Sequence, residues 1–318
     1  MYLNTNKRFL DGALSNLKTI AVVSGSNNIP MKSFGQELNV RLQHYAKRSI
    51  LLDSEKIKKS FNKNDIDSIS SLKIMSHLRS LESQCDSLLM ICDNSLSKWT
   101  THVLEQADVI IVVLNFSDQN REPQGIESRI MSMKYKTSRI LAFLHSNGTG
   151  IISGTNEWLK PRSGYHMHFH IRCQETFFQN DHHVYPDFDK FDHFSRLARH
   201  LTGNAIGFAF GGGGARGYSH VGIIREFYDR RVPTDIISGT SIGAFIGALF
   251  SIYENPDEIE KKTKEWSKFL SVKLNHLIDL SIPYISIFSG RQFSYILKQI
   301  FGSINIEDFW IPFYCITT

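Results

Sequence analysis

The run Gly239-Thr240-Ser241-Ile242-Gly243, with the glycine-rich stretch Gly211–Gly217 just upstream, constrains this chain more than any other feature. Pro233–Ile237 reads as a short buried strand entering the run, and Ile242–Phe250 as an apolar helix leaving it. A strand, a sharp turn and a helix in that order push a serine hydroxyl into the open and aim a helix N-terminus at it. Gly239 and Gly243 remove side chains that would collide at so tight a corner. Gly243, Ala244, Gly247 and Ala248 give the helix a small-residue face that can press close to a sheet. On this pattern Ser241 is read as a nucleophile.

The glycine stretch supplies the complementary half. Ala205–Phe210 reads as the strand before it, and Tyr218–Arg230 has helical spacing, with Val221, Ile224, Phe227 and Tyr228 on or near one face. Gly212, Gly213 and Gly214 let bare backbone N–H groups converge on one negative oxygen, as acyl transfer requires for its tetrahedral intermediate. Arg216 adds fixed positive charge beside Gly217 at the helix start. A dinucleotide site competes for the same residues, since Gly212–Gly217 also fits G-x-G-x-x-G between a strand and a helix. That fold wants an acidic residue at the far end of the next strand, whereas Asp235 precedes Ile236 and Ile237. A Walker A loop fails outright, because no Gly-Lys-Ser or Gly-Lys-Thr follows.

The N-terminal half alternates in type. Thr19–Val23, Ser49–Leu52, Ser87–Ile91, Asp108–Leu114 and Arg139–Leu144 read as strands, and Phe34–Tyr45, Ile66–Leu81, Leu96–Gln106 and Glu127–Tyr135 as helices. Continuous apolar runs of this kind suit a parallel sheet covered on both faces, so the expectation is a doubly wound, Rossmann-like α/β domain. Ser24–Asn28 stands where a phosphate loop would. Lys32-Ser33 completes no Walker spacing, and Pro30 and Met31 occupy places that need a permissive backbone, so loss of nucleotide binding is the favoured reading. The expected organisation is a tail over 1–17, this α/β domain over 18–175, a linker and connecting helix over 176–204, and a second α/β domain over 205–318.

His166, His168 and His170 alternate at strand period and share one face, which could chelate a metal. No Cys or carboxylate stands at ligand spacing beside them and His182 and His183 fall in a polar loop, so a half-exposed edge strand is expected instead, with no metal and no cofactor. The net charge of +5 is mild, and basic residues do not interleave with aromatics as nucleic-acid binding would need. Lys56–Lys59 and Lys261–Lys264 read as solvated helix faces, with attraction to anionic lipid headgroups as the weaker alternative. Cys85, Cys92, Cys173 and Cys315 lack paired spacing and are expected as reduced thiols. The start has no secretory signal, and no stretch has the apolar length to span a bilayer.

Phe194–Arg199, Leu201–Asn204, the Gly211–Gly217 run, Gly239–Gly243 and Phe309–Tyr314 together resemble the patatin-like phospholipases, and within them the neuropathy target esterase branch of lysophospholipases. The likeness runs from about Lys18 to the C-terminus. It implies a patatin-like α/β hydrolase domain, a Ser–Asp dyad with Ser241 as the serine, and Gly212, Gly213 and Gly214 as the oxyanion hole. Phospholipid and lysophospholipid substrates at a membrane surface follow from it, on the cytoplasmic face of the endoplasmic reticulum. It also implies cyclic-nucleotide-binding domains upstream, which these residues do not include.

The departure from the family is at the general base. The family's aspartate belongs to an Asp-Gly-Gly or Asp-Gly-Ala turn, but Asp257, Asp279 and Asp308 are the aspartates after Ser241 and none precedes a glycine. Asp257 reads as a helix cap, and Asp279 and Asp308 as helix-end or turn residues. A Ser241–Asp257–His276 triad would copy the chain order of an α/β-hydrolase but in far too short a span. His220, one helical turn past the glycines, is expected to pack or face solvent. The expectation is thus an incomplete hydrolase domain lacking its base, a fragment that turns over poorly and exposes a sheet edge. The alternative is an inactive chain that binds lipid or a partner.

Overall fold

Strands whose residues are apolar at every position need cover on both faces, and the first half of the chain provides it. The structure is a computed structural model, and it describes residues 17–26, 28–132, 137–178, 189–271 and 291–316. Two compact units form, one of 1–149 with 157–206 and one of 150–156 with 207–318.

In the first unit, β1 (Thr19–Ser24), β2 (Ser49–Leu52), β3 (Ser87–Ile91), β4 (Val109–Asn115), β5 (Ser138–Ser146) and β6 (Met167–Cys173) form one six-stranded sheet in the order β2-β3-β1-β4-β5-β6. Every pairing is parallel, with Ile20 opposite Leu89 in one direction and opposite Val109 in the other. Alternate residues of each strand serve opposite cores. Ala21, Val23, Met90, Val112 and Phe143 pack with Trp99, Val103, Ile130 and Trp158 on one face. Ile20, Val22, Leu89, Ile111 and Ala142 pack with Phe34, Leu38, Leu42 and Leu197 on the other. The sheet is therefore doubly wound.

Helices α1 (Met31–Tyr45), α2 (Ser54–Ser60), α3 (Ser71–Gln84), α4 (Lys98–Gln106), α5 (Gly125–Ser132), α6 (Thr155–Leu159) and α7 (His193–Leu201) connect or flank these strands. Three expectations need correcting. The single helix over Ile66–Leu81 is broken: a 3-10 turn over Ile66–Ser68 ends where Ile69 and Ser70 turn extended, and the Lys98 ammonium binds the carbonyls of Asp67 and Ile69. The helix in the expected 176–204 connector packs into the first unit. α7 is buried along its length, and Arg41 ties its N-cap Asp192 to α1 at 2.7 Å. β6 is an edge strand but is largely buried, with His170 3% exposed, because Phe169 and Ile171 are covered by α7 and the opposite face by aromatic rings.

The second unit contains β7 (Gly207–Phe210), α8 (Ser219–Asp229), β8 (Ile236–Gly239), α9 (Ile242–Tyr253), α10 (Pro256–Ser271), α11 (Arg291–Phe301) and β9 (Phe313–Cys315). The strands form a parallel sheet in the order β7-β8-β9. β8 starts later than the sequence suggests, after Asp235, and runs on to Gly239. α9 is apolar nearly all round because it lies in the middle of this core, with Ile246 and Leu249 fully buried. In α8, Ile224 is the buried anchor, while Tyr228, expected near the same face, is 49% exposed. The segment 150–156 closes this unit: Trp310 Nε1 donates to Gly150 O at 2.9 Å, and Thr155 N to Asp308 Oδ1 at 2.9 Å.

Candidate active site

Parallel strands deliver their following loops to one end of a sheet, and β7 and β8 are in register there, Phe210 opposite Gly239. The two glycine motifs therefore meet. Thr240 N donates to Phe210 O at 3.1 Å, docking the Ser241 turn onto the end of β7. Close approach at this corner depends on Gly243, where a Cβ would lie 2.2 Å from Phe210 O and 2.6 Å from Gly211 O. At Gly239 a Cβ would lie 2.6 Å from the Gly243 backbone. No side chain fits at either position.

Ser241 is exposed and has φ 52° and ψ −126°, a conformation that a residue with a side chain rarely adopts. Such a residue costs on the order of 1–3 kcal/mol and persists only where its surroundings hold it. Here Gly243 N donates to Thr240 O at 3.0 Å and Phe245 N to Ser241 O at 3.1 Å, while α9 is anchored in the core. Ser241 stands at the N-cap of α9, yet its hydroxyl makes no capping bond. The hydroxyl is left facing outward over the positive end of a buried helix.

Gly211, Gly212, Gly213 and Gly214 are all exposed beside it. A Cβ on Gly212 would lie 3.3 Å from Ser241 Cβ, so the Gly212 backbone lies beside the Ser241 side chain. Gly214 has φ 56° and opens a 3-10 turn over Gly214–Tyr218, in which Arg216 N donates to Gly213 O. The Arg216 side chain is exposed, and Gly217 is buried against Ile242, the first residue of α9. Asp235 is buried at the start of β8, the end away from the glycine turn, where it could not reach a ribose bound there.

The remaining candidates divide. Asp257 does not cap α10. Asn255 Oδ1 accepts from Asp257 N, and the Asp257 carboxylate pairs with Arg225 at 2.8 Å on the surface. Asp308 is 2% exposed and does more than end a turn, because its oxygens accept from Asn305 N and Thr155 N. Asp279, His276, His182 and His183 lie outside the described residues. Sequence reasoning gave His220 no task, but its Nε2 is 2.9 Å from Gly211 O. Only the folded turn shows that contact. Lys261, Lys262 and Lys264 pair with Glu258, Glu265 and Glu260 of their own helix.

In the first unit the loop after β1 is packed with protein. Gly25 N donates to Val113 O at 2.9 Å, and Ser24 Oγ to Ser26 O at 2.6 Å. A Cβ on Gly25 would lie 2.7 Å from Leu114 and Val112 and 3.4 Å from Glu127 Oε2. Glu127 and Arg162 form a fully buried ion pair at 2.6 Å, and Tyr165 Oη donates to the same carboxylate. His168 and His170 lie in an aromatic cluster, with Phe143 stacked on His170 and His145 Nε2 2.9 Å from His170 Nδ1. His166 stands apart, accepting from Arg139 N. Among the described residues no group of three or more His, Cys, Asp or Glu could hold a metal ion, and no helix is long and apolar enough to cross a membrane.

Comparison with known proteins adds a family. Residues 16–187 match the neuropathy target esterase family P-loop like domain, and residues 208–317 match patatin-like phospholipase. Patatin-like phospholipase domain-containing protein 6 of Mus musculus is 34% identical over 97% of this chain and 23% of its own length. Patatin-like phospholipase domain-containing protein 7 of Mus musculus is 35% identical over 95% of this chain and 23% of its own. Neuropathy target esterase sws of Drosophila willistoni is 33% identical over 94% and 21%. The chain thus spans less than a quarter of the length of these curated relatives. No solved structure gives a significant match.

Proposed function

This chain belongs to the neuropathy target esterase family and carries a patatin-like phospholipase domain, and from that premise we propose that Ser241 is the nucleophile of a lipid esterase acting on lysophospholipids and phosphatidylcholine. The observation that carries the reading is the backbone of Ser241, held at positive φ at a helix N-terminus with its hydroxyl uncapped and Gly212 beside it. Ser241 Oγ attacks the ester carbonyl, and backbone N–H groups of Gly212, Gly213 and Gly214 receive the developing oxyanion. An acyl-enzyme forms as the alcohol leaves, and water then releases the fatty acid. Arg216, exposed beside the turn, faces the phosphate of the headgroup.

A serine hydroxyl needs a base to take its proton. Asp257 and Asp308 are engaged elsewhere, so the Asp of the family's dyad is sought outside the described residues. The same observation favours a second reading, a chain that binds lipid at the membrane surface of the endoplasmic reticulum without cleaving it. Fluorophosphonate labelling and fatty-acid release from lysophosphatidylcholine separate the two. Labelling that disappears in Ser241→Ala, with turnover, supports the esterase. Binding to lysophosphatidylcholine vesicles without labelling supports the second, and equal labelling of Ser241→Ala rejects Ser241.

A further inference from the structure

We propose that His220 is a positioning residue for the oxyanion loop, setting the direction of the Gly212 N–H through the carbonyl of Gly211; this rests on the reading of Ser241 as nucleophile. His220 Nε2 lies 2.9 Å from Gly211 O. A carbonyl oxygen only accepts, so Nε2 carries the hydrogen and donates it. The Gly211 C=O and the Gly212 N–H belong to one planar trans peptide and point in opposite directions. Whatever fixes the carbonyl therefore fixes the amide.

Nothing within the loop itself can do this. Gly211 to Gly214 have no side chains, and glycine passes readily between backbone regions closed to other residues. A peptide between two such residues rotates at little cost unless it is held from outside. Gly211 O is held on two sides. It lies against the Cα of Gly243, where a Cβ would come within 2.6 Å, and His220 binds it from α8. Ser241 adjoins the same peptide, with a Cβ on Gly212 falling 3.3 Å from Ser241 Cβ. With Gly211 O held by His220, the direction of the Gly212 N–H beside Ser241 is fixed as well.

The imidazole is itself constrained. Its ring packs on Phe210 at 5.2 Å between centroids, and Phe210 is the residue on which the Ser241 turn docks. Its Nδ1 is buried with no hydrogen-bond partner. No second bond competes with the one to Gly211, so the ring has one polar task. In this role the effect of His220 on chemistry passes through the Gly211–Gly212 peptide.

The test compares His220→Leu, which keeps bulk against Phe210 but donates nothing, with His220→Gln, whose Nε2 can reach the same carbonyl. On lysophosphatidylcholine, His220→Leu should lower kcat about 100-fold, the cost of losing one oxyanion donor, with KM changed less than about twofold. His220→Gln should recover kcat to within about tenfold of the parent. Should His220→Leu fail to fold, His220→Phe replaces it. Crystal structures of both variants provide a readout independent of catalysis. The Gly211–Gly212 peptide should be rotated or mixed in His220→Leu and single in His220→Gln. An unchanged peptide with unchanged kcat overturns the proposal, as does loss in His220→Leu that His220→Gln does not restore. A rotated peptide in a protein whose Ser241 never labels keeps the positioning role and rejects the esterase reading.

Discussion

Each unit has a parallel strand that ends in a glycine-containing loop and leads to a helix, and the two loops have opposite fates. After β1, the groups a phosphate would use are engaged by the protein itself. Gly25 N is bound by Val113 O, Leu114 and Val112 crowd its Cα, and the Glu127 carboxylate stands beside it with Arg162 as counter-ion. After β7, four consecutive glycines are exposed, and Ser241 faces out next to them. Parallel sheets concentrate ligand sites at the carboxyl ends of their strands. The fold provides the crevice at both places, and the side chains around it decide whether protein or ligand fills it.

Gly243→Val attacks the open site at its base and should have the largest effect. A Cβ 2.2 Å from a backbone carbonyl leaves no rotamer to escape to, so a loss beyond about 4 kcal/mol is expected, in the class of severe core strain. Hydrogen exchange read by peptide should show the second unit open while the first stays protected. Retained protection there would break the account of how α9 meets β7.

Glu127→Ala attacks the filled site. It leaves a fully buried guanidinium without its carboxylate and should destabilise the first unit by about 3–5 kcal/mol. Exchange should rise in β1, β4 and α5. The parent protein should show no heat on titration with ATP, and a clear binding isotherm would dissolve the contrast between the two loops.

Gly213→Val meets no atom nearer than 3.8 Å, but at φ 158° and ψ 16° its side chain strains the backbone, so it should twist the exposed loop and cost turnover rather than disturb the core. A loss of about 100-fold in kcat with little change in KM is the expected signature of a disturbed oxyanion donor. Unaltered kcat would return the glycine run to a structural role.

The smallest effect at neutral pH concerns His145, whose pKa burial pushes down to about 3, with His193 and Arg172 adding to the shift. A depressed imidazole binds fewer protons folded than unfolded, so its contribution is complete above the unfolded value of about 6.5 and is lost as pH falls from there toward 3. Hydrogen exchange across that range should show the first unit weakening with acid, and His145→Gln should reduce the slope. An unchanged slope would show that His145 is not among the groups responsible.

The sequence was most legible where burial acts on both faces at once. The five strands read from Thr19, Ser49, Ser87, Asp108 and Arg139 all form, because a run apolar at every position has few other places to go. With the edge strand that carries His168 and His170 they make the six-stranded doubly wound sheet. Boundaries set by side-chain contacts were not legible. Nothing in Ile66–Leu81 announces that Lys98, from another helix, will take the carbonyls where it breaks. The same holds at the site. Gly239 and Gly243 are legible because a tight corner leaves a local mark, whereas His220 matters through a carbonyl that only the folded turn brings to it, and Glu127 and Arg162 through each other, 35 residues apart. Asp257 was misplaced for a related reason, since Asn255 two residues earlier took the cap.

The second unit includes 150–156, residues embedded between strands β5 and β6 of the first. A cut at 206 would deprive Trp310 and Asp308 of the backbone groups they bind. The contiguous stretch 207–318 alone therefore lacks two backbone partners that its own side chains bind.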